Sequence, residues 1–118
     1  MARQKSGYYG KRRKFWTWGY EGEDNSNEEI NVMRERVEQR LGIKDIKILT
    51  DPTLDEIELH PSRIKIPQSL EAFCTTDKWD RVAHTYGKGF KDLTLVYRRE
   101  FSRAPDVVAY PQDEADVA

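Results

Sequence analysis

The sequence predicts an α+β chain in which a helical region is followed by one strand and the opening of a further helix. Three observations carry this. Residues 26–42 hold a serine–glutamate box, an apolar stripe and a closing glycine, which together mark one capped helix. Residues 76–99 repeat apolar side chains at three- and four-residue spacing on either side of a glycine pair. Residues 107–110 form an unbroken apolar run between Pro105 and Pro111, the pattern of a buried strand.

Each element follows from its residues. Residues 1–25 read as an extended basic and aromatic arm, punctuated by Gly7, Gly10, Gly19 and Gly22. The alternation Phe15, Trp18, Tyr20 fits a short extended segment lying on a larger body. In the first helix, Ser26 and Glu29 can each satisfy a free amide at the start. Ile30, Met33, Val37 and Leu41 then form one stripe, and Gly42 supplies the left-handed terminator. Arg34, Glu35, Arg36, Glu38 and Arg40 cover the outer face, so the stripe needs a surface to lie on.

Residues 43–67 are irregular, with Pro52, Pro61 and Pro67 interrupting any long element. Ile46, Ile48 and the run EIELH read as short extended pieces, and Thr50-Asp51-Pro52 as a turn. Thr76-Asp77 can cap a helix with Trp79, Val82, Ala83 and Tyr86 on one face. YGKGF is a helix-to-helix turn, and Phe90, Leu93, Val96 and Tyr97 line the next helix. Its Asp92 near the start and Arg98 and Arg99 near the end suit the helix dipole. Val107 to Tyr110 read as a strand buried on both faces, and QDEADVA opens like a helix. A buried strand needs neighbours. With none evident, the expectation is a truncated domain: 26–103 as a helical amino-terminal region, 104–118 as the start of a second unit.

Composition narrows the function classes. Apolar types are 37% and charged types 35% of 118 residues. Mean hydropathy is −0.86, and no stretch approaches the roughly 18 uncharged apolar residues of a spanning helix. One cysteine, Cys74, excludes a disulfide scaffold. The start MARQKSGYYGKRRK has no apolar run behind it, so no secretory signal is read and a reducing cytoplasm is expected. Six cations and no acid fall in residues 1–18, and Glu21, Glu23, Asp24, Glu28 and Glu29 follow. Basic residues interleaved with Tyr8, Tyr9, Phe15, Trp16 and Trp18 have the composition of a single-strand binder, but the two charge blocks can equally neutralise each other. No zinc-finger, RRM or KH signature is present, so no nucleic-acid partner is expected.

Catalytic signatures are absent from the residues themselves. Neither phosphate-cradling glycine motif occurs. Cys74 and His84 lack an orienting third group, and Cys74 in EAFC reads as a small core residue at helical spacing. His60, before Pro61, and His84 are isolated, so no metal site is read. The carboxylate pair Asp55/Glu56 stands in no pattern.

Three stretches taken in order resemble one family. KFWTWGYE is similar to the W-G-W-G opening of alkylglycerone-phosphate synthases and their bacterial FAD-binding oxidase relatives. LHPSRIKIPQSL is similar to the family's P-x-R segment with its following proline. DRVAHTYGKGFKDLTLVYRREFSRAPDVVAYPQDEADVA resembles the lead into its flavin domain: an R-x-x-H-x-Y-G-K-like helix pair, a P-D-x-V-x-x-P strand and an acidic helix start.

The resemblance implies the helical lead-in, first strand and helix start of a PCMH-type FAD-binding domain of the vanillyl-alcohol oxidase kind. It implies that the full-length protein binds FAD and a small-molecule substrate, replacing the acyl chain of an acyl-dihydroxyacetone phosphate by a fatty alcohol in ether lipid synthesis. Full-length members are often homodimers. The family's P-x-G-G-G-T-S-like loop, substrate-phosphate arginine and acid tyrosine match no position here, so no catalytic residue is assigned and the 118-residue chain is expected to be inactive. Tyr110 and Pro111, at the strand end, are the residues expected near the flavin. The resemblance also implies the Trp79–Tyr97 helix pair as a cover, with FWTWGY lying across it as a strap. Two alternatives stay open: a D-lactate or glycolate dehydrogenase-like FAD oxidase, sharing the P-D-x-V strand, and a small non-enzymatic nucleic-acid-binding protein.

Overall fold

The computed structural model describes residues 11–118, so the expectations for Tyr8, Tyr9, Gly7, Gly10 and the first two cations lie outside the described residues. Among the described residues the architecture is α+β: four α-helices and one small antiparallel sheet. Helix α1 spans Asn27–Leu41, α2 Lys78–Ala83, α3 Phe90–Tyr97 and α4 Glu114–Val117; strand β1 is Cys74–Thr75 and β2 is Val108–Ala109.

Helix α1 forms as its sequence dictates. Ser26 Oγ accepts from the Glu29 amide and the Glu29 carboxylate accepts from the Ser26 amide, closing the box. Gly42 ends the helix at φ 66°, a conformation a Cβ disfavours. Its stripe finds no floor: no α1 residue is buried, and Met33, Val37 and Leu41 remain exposed. The radius of gyration is 18.0 Å, against about 13 Å for a compact domain of this length.

The core lies elsewhere. Ile57, Val82, Val96 and Phe101 are buried together, with Phe15, Trp16, Leu54, Leu59 and Tyr86 packed around them. Helices α2 and α3 contribute one fully buried side chain each to this cluster, and the irregular segments supply the rest. The arm closes on it as a turn, bridged Arg13 to Tyr20, with the Trp16 ring edge-on to Tyr97 at 5.5 Å. Trp18 Nε1 donates to the Lys88 carbonyl and Lys88 Nζ donates to the Lys14 carbonyl, each at 3.2 Å. Residues 15–19 therefore lie across the α2–α3 connection.

Several expectations are corrected. The strand is not without a neighbour: β2 pairs with β1, Cys74 opposite Ala109 and Thr75 opposite Val108. Nor is it buried on both faces, because Val108 is buried and Ala109 exposed. Cys74 is a small core residue as read, but on a strand rather than a helix. Ile46, Ile48 and EIELH form no strand; Leu54–Glu56 and Gln68–Leu70 are short 3-10 helices instead. Tyr86 lies beyond α2, which ends at Ala83. Phe90 points away from the core and is 87% exposed.

Replacing Phe101 or Ile57 by Ala removes one of four fully buried core groups and is expected to cost about 3–5 kcal/mol, enough to abolish the cooperative urea transition read by circular dichroism. Ser26→Ala is expected to act only on α1. Because none of that helix's residues is buried, amide exchange should quicken across 27–41 by about fivefold, with the core protection of 82 and 96 unchanged.

Candidate functional site

The polar residues of the chain converge where α2 meets the loop after Leu59 and the lead into β2. Asp80 and Arg81 stand side by side on α2, and both are buried. Their placement follows from where that short helix starts, with Asp77 at its N-cap making no side-chain capping bond. The Asp77 amide donates to Thr75 Oγ1 at 3.0 Å, so β1 sets the direction in which α2 leaves the sheet.

Arg81 reaches in two directions. Its Nε donates to the Pro105 carbonyl at 2.7 Å and its Nη2 to the His60 carbonyl at 2.8 Å. His60 Nε2 lies 3.1 Å from the Ala104 carbonyl. Next to it Arg63 forks onto Asp106: Nε contacts both carboxylate oxygens, Nη2 lies 2.7 Å from Oδ2, and the Arg63 amide donates to Oδ1 at 3.0 Å. The Asp106 side chain is 11% exposed. These contacts hold its carboxyl far below the usual carboxylate value, the Arg63 guanidinium first and the Arg63 backbone amide second.

Asp80 points the other way. Its Oδ1 accepts from the Tyr110 hydroxyl at 2.6 Å, while Oδ2 is buried without a hydrogen-bond partner among the described residues. The Tyr110 ring stands edge-on to His84 at 5.6 Å, and the Tyr110 amide donates to the Phe73 carbonyl at 2.8 Å. Pro111 is exposed on the rim of a shallow depression shared with Gln112, Asp113, Glu114, Val117 and Ala118.

The structure places the two residues expected near a flavin differently. Tyr110 has its hydroxyl, ring and amide engaged inward, which makes it a packing residue of the β1–α2 corner. Pro111 faces open surface, but its surroundings are acidic. The Gln112 and Asp116 amides that would face an anion are taken by the carboxylates of Asp116 and Asp113. This donor set does not fit a cofactor diphosphate.

Cys74 and His84 belong to neighbouring elements. His84 Nδ1 lies 2.7 Å from the Asp80 carbonyl, and the Cys74 thiol is buried. Glu56 caps the Thr53 amide and meets Arg99, while Asp55 is exposed on an open groove. Among the described residues no group of three His, Cys, Asp or Glu is placed to hold a metal ion. Among the described residues no helix is long and apolar enough to cross a membrane. In the arm, Lys11 pairs with Glu23, Arg12 with Glu21 and Lys14 with Asp24, so much of the basic block is matched by the acidic one.

Asp80, Arg81 and the Arg63–Asp106 fork were not singled out as a set by sequence. A charged pair inside the apolar pattern of α2 was the available signal for the first two; the fork joins residues 43 positions apart and has no local signal. Comparison with family models, with curated proteins and with solved structures finds no match for this chain.

Asp106 gives a pH dependence with a defined sign. Its carboxyl is harder to protonate in the folded chain than in the unfolded one, so its stabilising contribution is complete above the ordinary value of 3.8 and fades as the pH falls below it. Asp106→Asn is expected to destabilise the chain by a constant amount at neutral pH, with the difference from wild type narrowing below about pH 4 in urea titrations. Tyr110→Phe leaves the Asp80 carboxylate buried without its side-chain donor and is expected to cost about 1–3 kcal/mol.

Proposed function

We propose that this chain is the amino-terminal part of an FAD-dependent oxidase or transferase resembling alkylglycerone-phosphate synthase. Its work there is structural: to form the supporting layer and first sheet edge of a PCMH-type flavin domain. The observation that carries the reading is convergence. The three stretches that resemble the family lie far apart in sequence, yet each packs on the others. Phe15 and Trp16 of the first join the core cluster. His60 and Arg63 of the second clasp Ala104 and Asp106 of the third. Arg81 of the third returns to both His60 and Pro105.

On this reading the arginine and histidine of the R-x-x-H turn are positioning residues, not catalytic ones. Arg81 fixes the carbonyl of Pro105 and so the path of β2. His84 and Asp80 fix Tyr110 at its end. Flavin and substrate chemistry would be supplied by residues this chain does not contain, because no glycine-rich loop occurs in it and the surroundings of Pro111 do not suit a diphosphate.

The purified 118-residue chain, incubated with excess FAD and desalted, is expected to retain no visible flavin absorbance. A product whose reading frame continues past Ala118 through a P-x-G-G-G-T-S-like loop is expected to copurify with flavin. Flavin held by the short chain overturns the reading, as does a continued product that lacks either the loop or the cofactor.

A further inference from the structure

The tip where the arm turn meets the α2–α3 connection carries two uncovered aromatic rings. Trp18 is 67% and Phe90 87% exposed. They belong to one surface, because the Trp18 indole is hydrogen-bonded to the carbonyl of Lys88, two residues before Phe90. Burying neither ring is unusual for side chains of this size. With its N–H satisfied by Lys88, Trp18 presents an apolar ring.

Two exposed cations, Arg13 and Lys91, stand beside these rings, while half-buried Lys88 turns its Nζ inward onto the Lys14 carbonyl at 3.2 Å. None of the three makes an ion pair among the described residues. The acid of the same turn, Asp92, caps the Gly89 amide at 3.0 Å. Burial first, and the nearby Arg13 charge second, press the Lys88 ammonium below its usual range.

We infer that this tip docks on an anionic lipid surface, with Trp18 and Phe90 seated among the headgroups and Arg13 and Lys91 facing lipid phosphates or carboxylates. Aromatic rings at the polar boundary and lysines beside them are the chemistry such a surface selects. A nucleic-acid strand fits less well. Strand binding needs a track of cations along a groove. Here Lys11, Arg12 and Lys14, which would extend the track, are matched by Glu23, Glu21 and Asp24. What is left is a point of contact, not a track. The inference is independent of the flavoenzyme reading, since it uses no residue that reading assigns to the flavin.

Co-sedimentation of the 118-residue chain with vesicles tests it. Binding is expected to mixed phosphatidylserine–phosphatidylcholine vesicles at low salt and not to pure phosphatidylcholine. Phe90→Ala, at a site with almost no intrachain cover, is expected to lower partitioning about tenfold without changing the circular dichroism spectrum. Lys91→Glu should lower it at least about fivefold, and added salt should weaken the wild type. Absence of binding to anionic vesicles overturns the inference, as does binding that Phe90→Ala and Trp18→Ala leave unchanged. A mobility shift with a single-stranded oligonucleotide in the absence of vesicle binding overturns it in favour of a strand.

Discussion

The fold depends on one buried cation. Arg81 sits on a helix of six residues, too short to be stable alone, and its guanidinium holds the Pro105 and His60 carbonyls together. A desolvated arginine is tolerable only if its donors are satisfied. Meeting that demand requires the loop after Leu59 and the lead into β2 to approach α2 from two sides. The Arg63–Asp106 fork then closes the same two segments a second time nearer the surface. These clasps add to the two residues of pairing with β1 and to the Tyr110 contacts that locate β2.

Packing and polar contacts divide the work. The cluster of Ile57, Val82, Val96 and Phe101 supplies apolar burial, drawn mostly from irregular chain, which has no ladder of its own to fix it. Hydrogen bonds from side chains to carbonyls supply the direction that regular structure would otherwise give. Tyr86, whose hydroxyl donates to the Glu100 carbonyl while its ring packs on Phe101, does both at once. Helix α1 adds little to either beyond Glu38, whose carboxylate accepts from the Ile46 amide at 2.9 Å. It is well capped and amphipathic, yet its stripe lies in solvent.

Legibility followed the range of the interaction. The ends of α1, the turn between α2 and α3 and the acidic start of α4 were readable because caps and glycines act within four residues. The partner of β2 was not readable, because Cys74–Thr75 is too short to show alternation. The aromatic arm was legible as a segment seeking a body. Which ring it would bury was not: Trp16 lies against Tyr97 while Trp18, two residues on, remains outside. At the candidate site the matching stretches already contained His60, Arg63, Arg81, Asp106 and Tyr110. That they form one network depends on separations of 21 to 44 residues.

The sequence alone determined the secondary elements with local punctuation, the α+β mixture, and the absence of a spanning segment and of a phosphate loop. Those follow from propensity, capping and composition, which act between near neighbours. Tertiary structure alone decided that β2 has a partner, that Tyr110 turns inward to Asp80, and that Phe90 and Trp18 share one uncovered tip. Each of these outcomes depends on distant residues meeting a requirement of burial or charge, and no periodicity along the chain records such a meeting.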